Sequence, residues 1–360
     1  LVQDFWQSPV IARQPGLKAV DLFQAVESGK IKAIWIMATN PIVSLPDADQ
    51  VKRALEKCEF VVVSDICLDT DTTQYADVLL PALGWGEKDG TVTNSERRIS
   101  RQKAFLPAPG EAKADWWAIS RVAQVLGFRG FDFSNSHDIF LEHARLSAYQ
   151  NSSLSQREDT PNFRYFNLQG LTHLSFAEYQ NLTPAQWPVW DKQEDHQVSQ
   201  LFSQGQFSHA DGKARLVPTV AADPLHAISA EYPLILNTGR IRDQWHTMSR
   251  TGLSASLSQH RAEPYCELHP QDALKYGLKD AELVEVKSAW GSCVLRVQFS
   301  QNMRRGQIFA PIHWNDQFAS DARIGKVVNP VVDPISGEPE FKHTPVMIQP
   351  FYTQWQGVLY

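Results

Sequence analysis

The sequence has no C-x-x-C pair and only four cysteines in 360 residues: Cys58, Cys67, Cys266 and Cys293. Structural zinc and iron–sulfur clusters need closely spaced thiolates, so this spacing supports neither as a site held by this chain alone. Buried free thiols in a reducing compartment are the expectation. No apolar run approaches the roughly 18 residues a membrane-crossing helix needs, and no leader peptide is recognisable. Two Asn-x-Ser/Thr matches, at Asn151 and Asn181, are then read as chance. An excess of positive charge is also lacking. The net charge is −6 and the pI about 6.0, which argues against a dedicated nucleic-acid binder but leaves room for a local basic pocket. No nucleophile elbow, H-E-x-x-H or Walker loop occurs, so a self-contained hydrolase or nucleotide triphosphatase is poorly supported. A nicotinamide dehydrogenase lacks its G-x-G-x-x-G after the first strand. The chain opens on Leu1, not Met, and its first residues do not read as a domain start, so a piece of a longer protein is expected.

What is present is an ordinary globular composition, with 43% hydrophobic and 21% charged residues, long enough for two domains at about 150 residues each. Eleven tryptophans suit thick cores and internal interfaces. The first half alternates helix and strand signals. "GLKAVDLFQAVESGK" (16–30) carries a helical apolar stripe with Gly29 as its stop. "IKAIWIMA" (31–38) and "EFVVVSD" (59–65) read as strands covered on both faces. Between them "DADQVKRALEKC" (47–58) reads as a helix with Asp47 as candidate N-cap. "YADVLLP" (75–81) is a third short strand, and "EAKADWWAISRVAQVLGF" (111–128) an amphipathic helix stopped by Gly127. Such alternation implies a parallel sheet, whose carboxyl edge carries "TNP" (39–41) and "SD" (64–65).

Residues 130–230 are polar with weak periodicity, and read as a long irregular connection with short helices, one near 137–148. From about 230 short strands follow: "YPLILNT", "AELVEVKS", "CVLRVQF" and "GQIFAPIHW", with a helix at 269–278. That series implies a compact β-barrel or sandwich.

Several stretches carry groups suited to ligand binding. Asn40 lies in a tight turn after a strand, and Ser64 and Asp65 end the next one. A strand-end aspartate suits the paired N–H groups of guanine, or ribose hydroxyls. "GWGEKDGTVTNSERRISR" (84–101) combines three glycines with Lys88, a candidate phosphate partner, and also fits a solvated charge run on a hairpin. Asp115 opens a helix, where a cap is its simplest role. "TGRIRDQWHT" concentrates Thr238, Gly239, Arg240, Arg242, Trp245, His246 and Thr247 at a strand end, where they suit an anion or a polar heterocycle. "PIHWNDQF" (311–318) and the stretch with Lys342 and His343 also fit proline-punctuated surface loops.

Together these strings resemble one family. "ATNP…VVVSD…YADVLLPA…EKDGTVTNSERRISR…PGEAKADWW" is similar to the third domain of molybdopterin oxidoreductases, and "LNTGRIRDQWHTMSRTG" to the start of their C-terminal barrel. "IFAPIHWNDQFASDARIGKVVNPVVDPISGEPEFKHTPV" resembles bacterial assimilatory nitrate reductase catalytic subunits more narrowly. The resemblance spans about 16–348. It implies an α/β fold: a doubly wound, mostly parallel sheet domain over 1–205, then a six-stranded double-psi-type β-barrel over 206–360.

By motif position, Asn40, Ser64, Asp65, Lys88, Asp115, Thr238, Gly239, Arg240, Trp245, His246, Thr247 and Lys342 match cofactor contacts. The cofactor so implied is bis-molybdopterin guanine dinucleotide with molybdenum, with a [4Fe–4S] cluster in an N-terminal region that this sequence does not contain. The match departs at Gly325, where relatives often place an asparagine that meets the cofactor. The resemblance further implies nitrate as substrate and an electron-donor subunit, ferredoxin or flavoprotein as partner. It implies a cytoplasmic location and no nucleic-acid or membrane partner. Formate dehydrogenase, periplasmic nitrate reductase and a stand-alone cofactor-binding or chaperone module are the alternatives. Without the N-terminal domains the 360 residues are expected to be inactive, with the arginines and histidine of 238–247 facing solvent.

Overall fold

A computed structural model describes residues 1–151, 163–190, 200–203, 205, 207–209, 211–355 and 357. In chain order the elements begin with α1 (Val2–Phe5), α2 (Ala19–Glu27), β1 (Ala33–Met37), α3 (Pro41–Ser44), α4 (Ala48–Lys57), β2 (Phe60–Asp65) and β3 (Val78–Pro81). Next come β4 (Gly90–Thr93), β5 (Arg98–Gln102), α5 (Asp115–Val125), α6 (Ser136–Ala148), α7 (Phe176–Gln180) and β6 (Ala185–Gln186). The last are β7 (Leu234–Gly239), α8 (Ala255–Ser258), β8 (Tyr265–Leu268), α9 (Pro270–Lys275), β9 (Leu283–Lys287), β10 (Ser292–Phe299), β11 (Gln307–Pro311) and β12 (Thr344–Pro350). The chain forms two compact units, both discontinuous in sequence: Leu1–Pro15 with Ala82–Ala221, and Gly16–Pro81 with Ala222–Tyr360.

The second unit holds a parallel sheet and a closed barrel. The sheet has the order β1-β2-β3, with Met37 opposite Ser64 and Asp65 opposite Pro81. Parallel pairing brings the loops after β1 and β2 to one edge. Val51, Ala54 and Leu55 of α4, spaced as one helical face, join Phe23 and Val26 of α2 over Ile36, Val61 and Val63. Burial on both sheet faces was the expectation from composition. In the structure α2 and α4 pack on the same face, and β3 leaves Val78 and Leu79, which point to opposite faces, more than a third exposed. Asp47 stands at the N-cap position of α4, but its side chain makes no capping bond because its backbone is left-handed. Gly29 and Gly127 do close their helices, both with positive φ.

The barrel runs β10-β8-β11-β7-β12-β9 and closes through the antiparallel β9/β10 pair. Its parallel pairs are β7/β11 and β8/β10. Strict alternation builds the interior: Leu234 and Leu236, Cys293, Leu295 and Val297, Ile308 and Ala310, Val346 and Ile348 point inward. Cys266 and Cys293 lie in this core, and burial pushes the Cys266 thiol up to about 12, so both stay protonated. Cys58 and Cys67 are half-buried. Two strands escape sequence reading. β8 is only four residues long, and β12 contains Pro345 and Pro350, which ordinarily demote a strand.

The first unit has its own core: Ile99, Phe140, Ala144, Leu168, Leu171, Tyr179, Ala185 and Val189. Most of it comes from the stretch that reads as an irregular connection, and residues 152–162 and 191–199 of that stretch lie outside the described residues. The β4/β5 hairpin is present, but its arginines are not simply solvated. Arg101 is nearly buried, pairs with Asp89 at 2.8 Å, and lies 4.1 Å over the Tyr179 ring. Tryptophan also departs from expectation: among the eleven, only Trp314 is fully buried, while Trp6, Trp85, Trp117, Trp245 and Trp355 are exposed.

Gly325 sits beneath α3. A Cβ there would lie 2.7 Å from the Leu45 carbonyl oxygen and 3.0 Å from that of Val43, backbone atoms that cannot swing aside. An asparagine side chain therefore has no room at this position. Gly325→Ala is expected to destabilise the unit by about 1–3 kcal/mol. Gly16→Ala, with nothing within 4 Å, is the control and should stay within about 0.5 kcal/mol in a denaturant melt.

Candidate functional site

The end of β7 organises the second unit's site. Gly239 pairs with Pro311 and accepts the Ile312 N–H at 2.9 Å, so the chain leaves the barrel beside the end of β11. A Cβ on Gly239 would come within 2.8 Å of the Phe309 ring, which explains the glycine by close packing. Thr238 donates its hydroxyl to the Phe341 carbonyl at 2.8 Å, and the Lys342 ammonium donates to the Thr238 carbonyl. Strand pairing thus joins two residues a hundred positions apart that the sequence singled out separately.

A second pairing joins the sheet edge to the barrel loop. The Asn40 amide donates to the Thr247 hydroxyl at 3.2 Å, and its carbonyl accepts from the Thr72 hydroxyl at 2.6 Å. Asn40 and Thr247 are both buried. Asn315 donates to the Thr247 carbonyl at 2.6 Å. Ser64 is buried and accepts the Trp35 indole N–H at 2.8 Å, and Asp65 accepts the Cys67 backbone N–H at 2.9 Å. Asn40, Ser64 and Thr247 are therefore struts of the loops as well as candidate contacts.

The side chains of Arg240, Trp245 and His246 are exposed at the loop surface, as is Arg242. The Arg240 guanidinium lies 5.8 Å from the Trp245 ring centroid, and Trp245 meets the His246 ring edge-on at 4.4 Å. His246 has a left-handed backbone, φ +43°, followed two residues on by Met248 at +61°. Partial burial, with Arg240 and Arg250 nearby, holds the His246 pKa below its usual value. Arg242 pairs with Asp243 at 3.0 Å, and Asp243 also meets His260 at 2.6 Å.

"PIHWNDQF" reads as a surface loop, but its His313, Trp314 and Asn315 are buried. His313 accepts the Ile241 N–H at Nε2, 2.8 Å, and its Nδ1 meets the His246 carbonyl at 2.7 Å. Burial pushes its pKa down. Asn329 is also buried, donating to the His343 carbonyl at 2.7 Å and the Thr344 hydroxyl at 3.0 Å, and so braces the segment that carries Lys342. Thr72, Asn315 and Asn329 escape sequence reading as site residues, and His313 enters it only as part of the stretch 311–318. The available signal was polar residues directly after strand β11 and before a proline.

Lys88 and Asp115 belong to the first unit, where they form a 2.7 Å ion pair, each about one third exposed. The second Asp115 oxygen, Oδ1, is buried and has no hydrogen-bond partner. A carboxylate held by one cation with one open acceptor suits an N–H donor of a ligand. The expected cap role of Asp115 is not met: the N-cap of α5 is Ala114, no side chain caps the helix, and Asp115 is its first residue, a carboxylate in the first turn.

Two family models match this chain: "Molybdopterin oxidoreductase" over residues 8–125 and "Molydopterin dinucleotide binding domain" over residues 234–345. The chain thus carries two domains of the molybdopterin oxidoreductase family, over residues 8–125 and 234–345. Among its relatives, a protein named nitrate reductase from Klebsiella oxytoca is 48% identical over 99% of this chain and 40% of that protein. A nitrate reductase from Shewanella frigidimarina (strain NCIMB 400) is 42% identical over 100% of the chain and 40% of that protein. The chain thus spans about two fifths of the length of these relatives. Among solved structures, acetylene hydratase from Pelobacter acetylenicus superposes with a TM-score of 0.67 at 18% identity, covering 92% of this chain and 46% of that one, a likeness of fold alone. Among the described residues no helix is long and apolar enough to cross a membrane.

Two outcomes follow from this geometry. Asn40→Ala removes the partner of two buried hydroxyls and is expected to cost about 1–3 kcal/mol in a thermal melt, with Ser64→Ala milder. The second concerns pH. His246 and His313 titrate below the usual 6.5 in the folded chain, so the unfolded chain takes up protons first as pH falls. Their contribution is full above about 6.5 and declines below it. His313→Gln should flatten the fall in melting temperature between about pH 7 and 5.5.

Proposed function

We propose that this chain is part of the catalytic subunit of a molybdenum-dependent nitrate reductase. The carrying observation is 48% identity over 99% of the chain to a protein named nitrate reductase. The net reaction takes nitrate, two electrons and two protons to nitrite and water. A bis-molybdopterin guanine dinucleotide centre, when bound, supplies the oxygen-atom transfer chemistry.

The side chains of both units suit that group, each taken by itself. Arg240 offers an exposed guanidinium to phosphate oxygens, and Lys342 adds an ammonium at the end of β7. Trp245 presents a half-exposed indole to a flat heterocycle. His246, held neutral at neutral pH, both donates and accepts. In the first unit the open Oδ1 of Asp115 suits a guanine N–H, with Lys88 beside it to balance charge. Cationic side chains also favour entry of a small anion despite the chain's net negative charge. The work of these residues is binding and orientation.

Nitrate assimilation in the cytoplasm is the physiological setting this reading favours. Electrons would reach the site from a donor subunit, ferredoxin or flavoprotein through a [4Fe–4S] cluster outside this chain. The test is metal and pterin analysis of the full-length protein with nitrate reduction by reduced viologen and formate oxidation assayed in parallel. Molybdenum, pterin and nitrate reduction are expected together. Formate oxidation without nitrate reduction overturns the substrate assignment, and nitrate reduction by the 360 residues alone overturns the need for further domains.

A further inference from the structure

We propose that His313 is a positioning residue that sets the shape of the 240–247 loop through both of its ring nitrogens. The proposal rests on the reading of that loop as a cofactor contact. His313 is fully buried, two residues beyond the end of β11, and it spans the loop from inside. At one end the Ile241 backbone N–H donates to Nε2 at 2.8 Å. A nitrogen that accepts from an N–H carries no proton, so the neutral ring must be protonated at Nδ1. Nδ1 then donates to the His246 carbonyl at 2.7 Å, at the other end of the loop. The two bonds therefore select one tautomer, and protonation of the ring would break the first.

Neighbouring contacts act in the same sense. Asn315 holds the next carbonyl, that of Thr247, at 2.6 Å, so residues 313 and 315 grip consecutive carbonyls of the loop. The Met248 N–H donates to the Trp245 carbonyl at 3.0 Å, a turn that needs the left-handed backbone of His246. With its backbone held at 241, 246 and 247, the loop has Arg240, Trp245 and His246 exposed at its surface. A rigid loop binds without first losing the freedom of those residues, which is the energetic gain of preorganisation. His313 is placed to act without touching the ligand.

The proposal separates His313 as a clamp from His313 as core filler. Phenylalanine keeps the ring's bulk and loses both hydrogen bonds. Glutamine keeps one donor and one acceptor. The experiment measures amide exchange in the cofactor-free full-length protein and pterin content in the protein as purified, for the parent, His313→Phe and His313→Gln. His313→Phe is expected to speed exchange of the 240–247 peptide by about tenfold or more, which corresponds to opening easier by one factor of ten in the local equilibrium. Peptides from β10 and β12 should not change, and pterin content should fall about fivefold or more, a weakening of the kind preorganisation predicts. His313→Gln should restore both to within about threefold, as a partial mimic of the two bonds. Unchanged exchange at 240–247 in His313→Phe overturns the proposal. So does equal acceleration across β10, β12 and the loop in both variants, which marks a packing role. A loosened loop with undiminished pterin supports the clamp and removes the loop from the cofactor site, which overturns that reading instead. If His313→Phe does not fold, His313→Gln decides: parent-like protection of the loop supports the clamp, and a loop exposed at unchanged barrel protection overturns it.

Discussion

The parallel pairing of β7 with β11 is the constraint on which the candidate site depends. It sets Gly239 opposite Pro311, so the segments 240–247 and 312–315 leave the barrel side by side. Every bond that shapes the loop from His313 and Asn315 presupposes that adjacency. The same strand, β7, pairs with β12 on its other edge, which brings Lys342 to the Thr238 carbonyl. Parallel strands cannot be joined by a tight turn, so the barrel gathers pieces about a hundred residues apart in sequence at one rim.

A parallel β1/β2 edge does the equivalent work in the sheet. It places the turn at Asn40 near the loop that follows β2, where the buried Thr72 completes the hydrogen bonds of Asn40. Asn40 also reaches Thr247, so the sheet and barrel share a buried polar contact within one unit. Buried polar groups are costly when unpaired, and here each is paired by a residue from a different loop. The loops are consequently interdependent, and the exposed cationic and aromatic groups inherit their placement from residues that are themselves buried.

The candidate residues divide by physical role. Arg240, Trp245, His246 and Lys342 present chemistry, whereas Thr238, Thr247, Asn40 and Ser64 hold backbone. Gly239 is present because Phe309 leaves no room. Lys88 and Asp115 form a separate pair in the other unit, with one buried acceptor left open. Motif similarity groups all of these as contacts, and geometry shows that several of them are supports first.

The class of fold is legible in local pattern. The helical stripe of α4 and the alternation in β7, β9, β10 and β11 are local patterns, set by which face must leave water, and these four strands were legible without coordinates. The loop at 238–247 was legible as a site because its composition is unusual for a turn. Strand β8 and the proline-bearing β12 were not, because their pairing comes from partners distant in sequence. The core of the first unit was hidden for the same reason: Ile99, Phe140, Leu168 and Tyr179 have no common period and meet only on folding. His313 lies in a stretch that also fits a proline-punctuated surface loop, since a lone histidine beside prolines carries no local sign of burial. Only tertiary structure decided which of its nitrogens accepts, and that one imidazole would hold both ends of the loop. Hydrogen-bond partners distant along the chain are fixed by strand register, which no local pattern encodes.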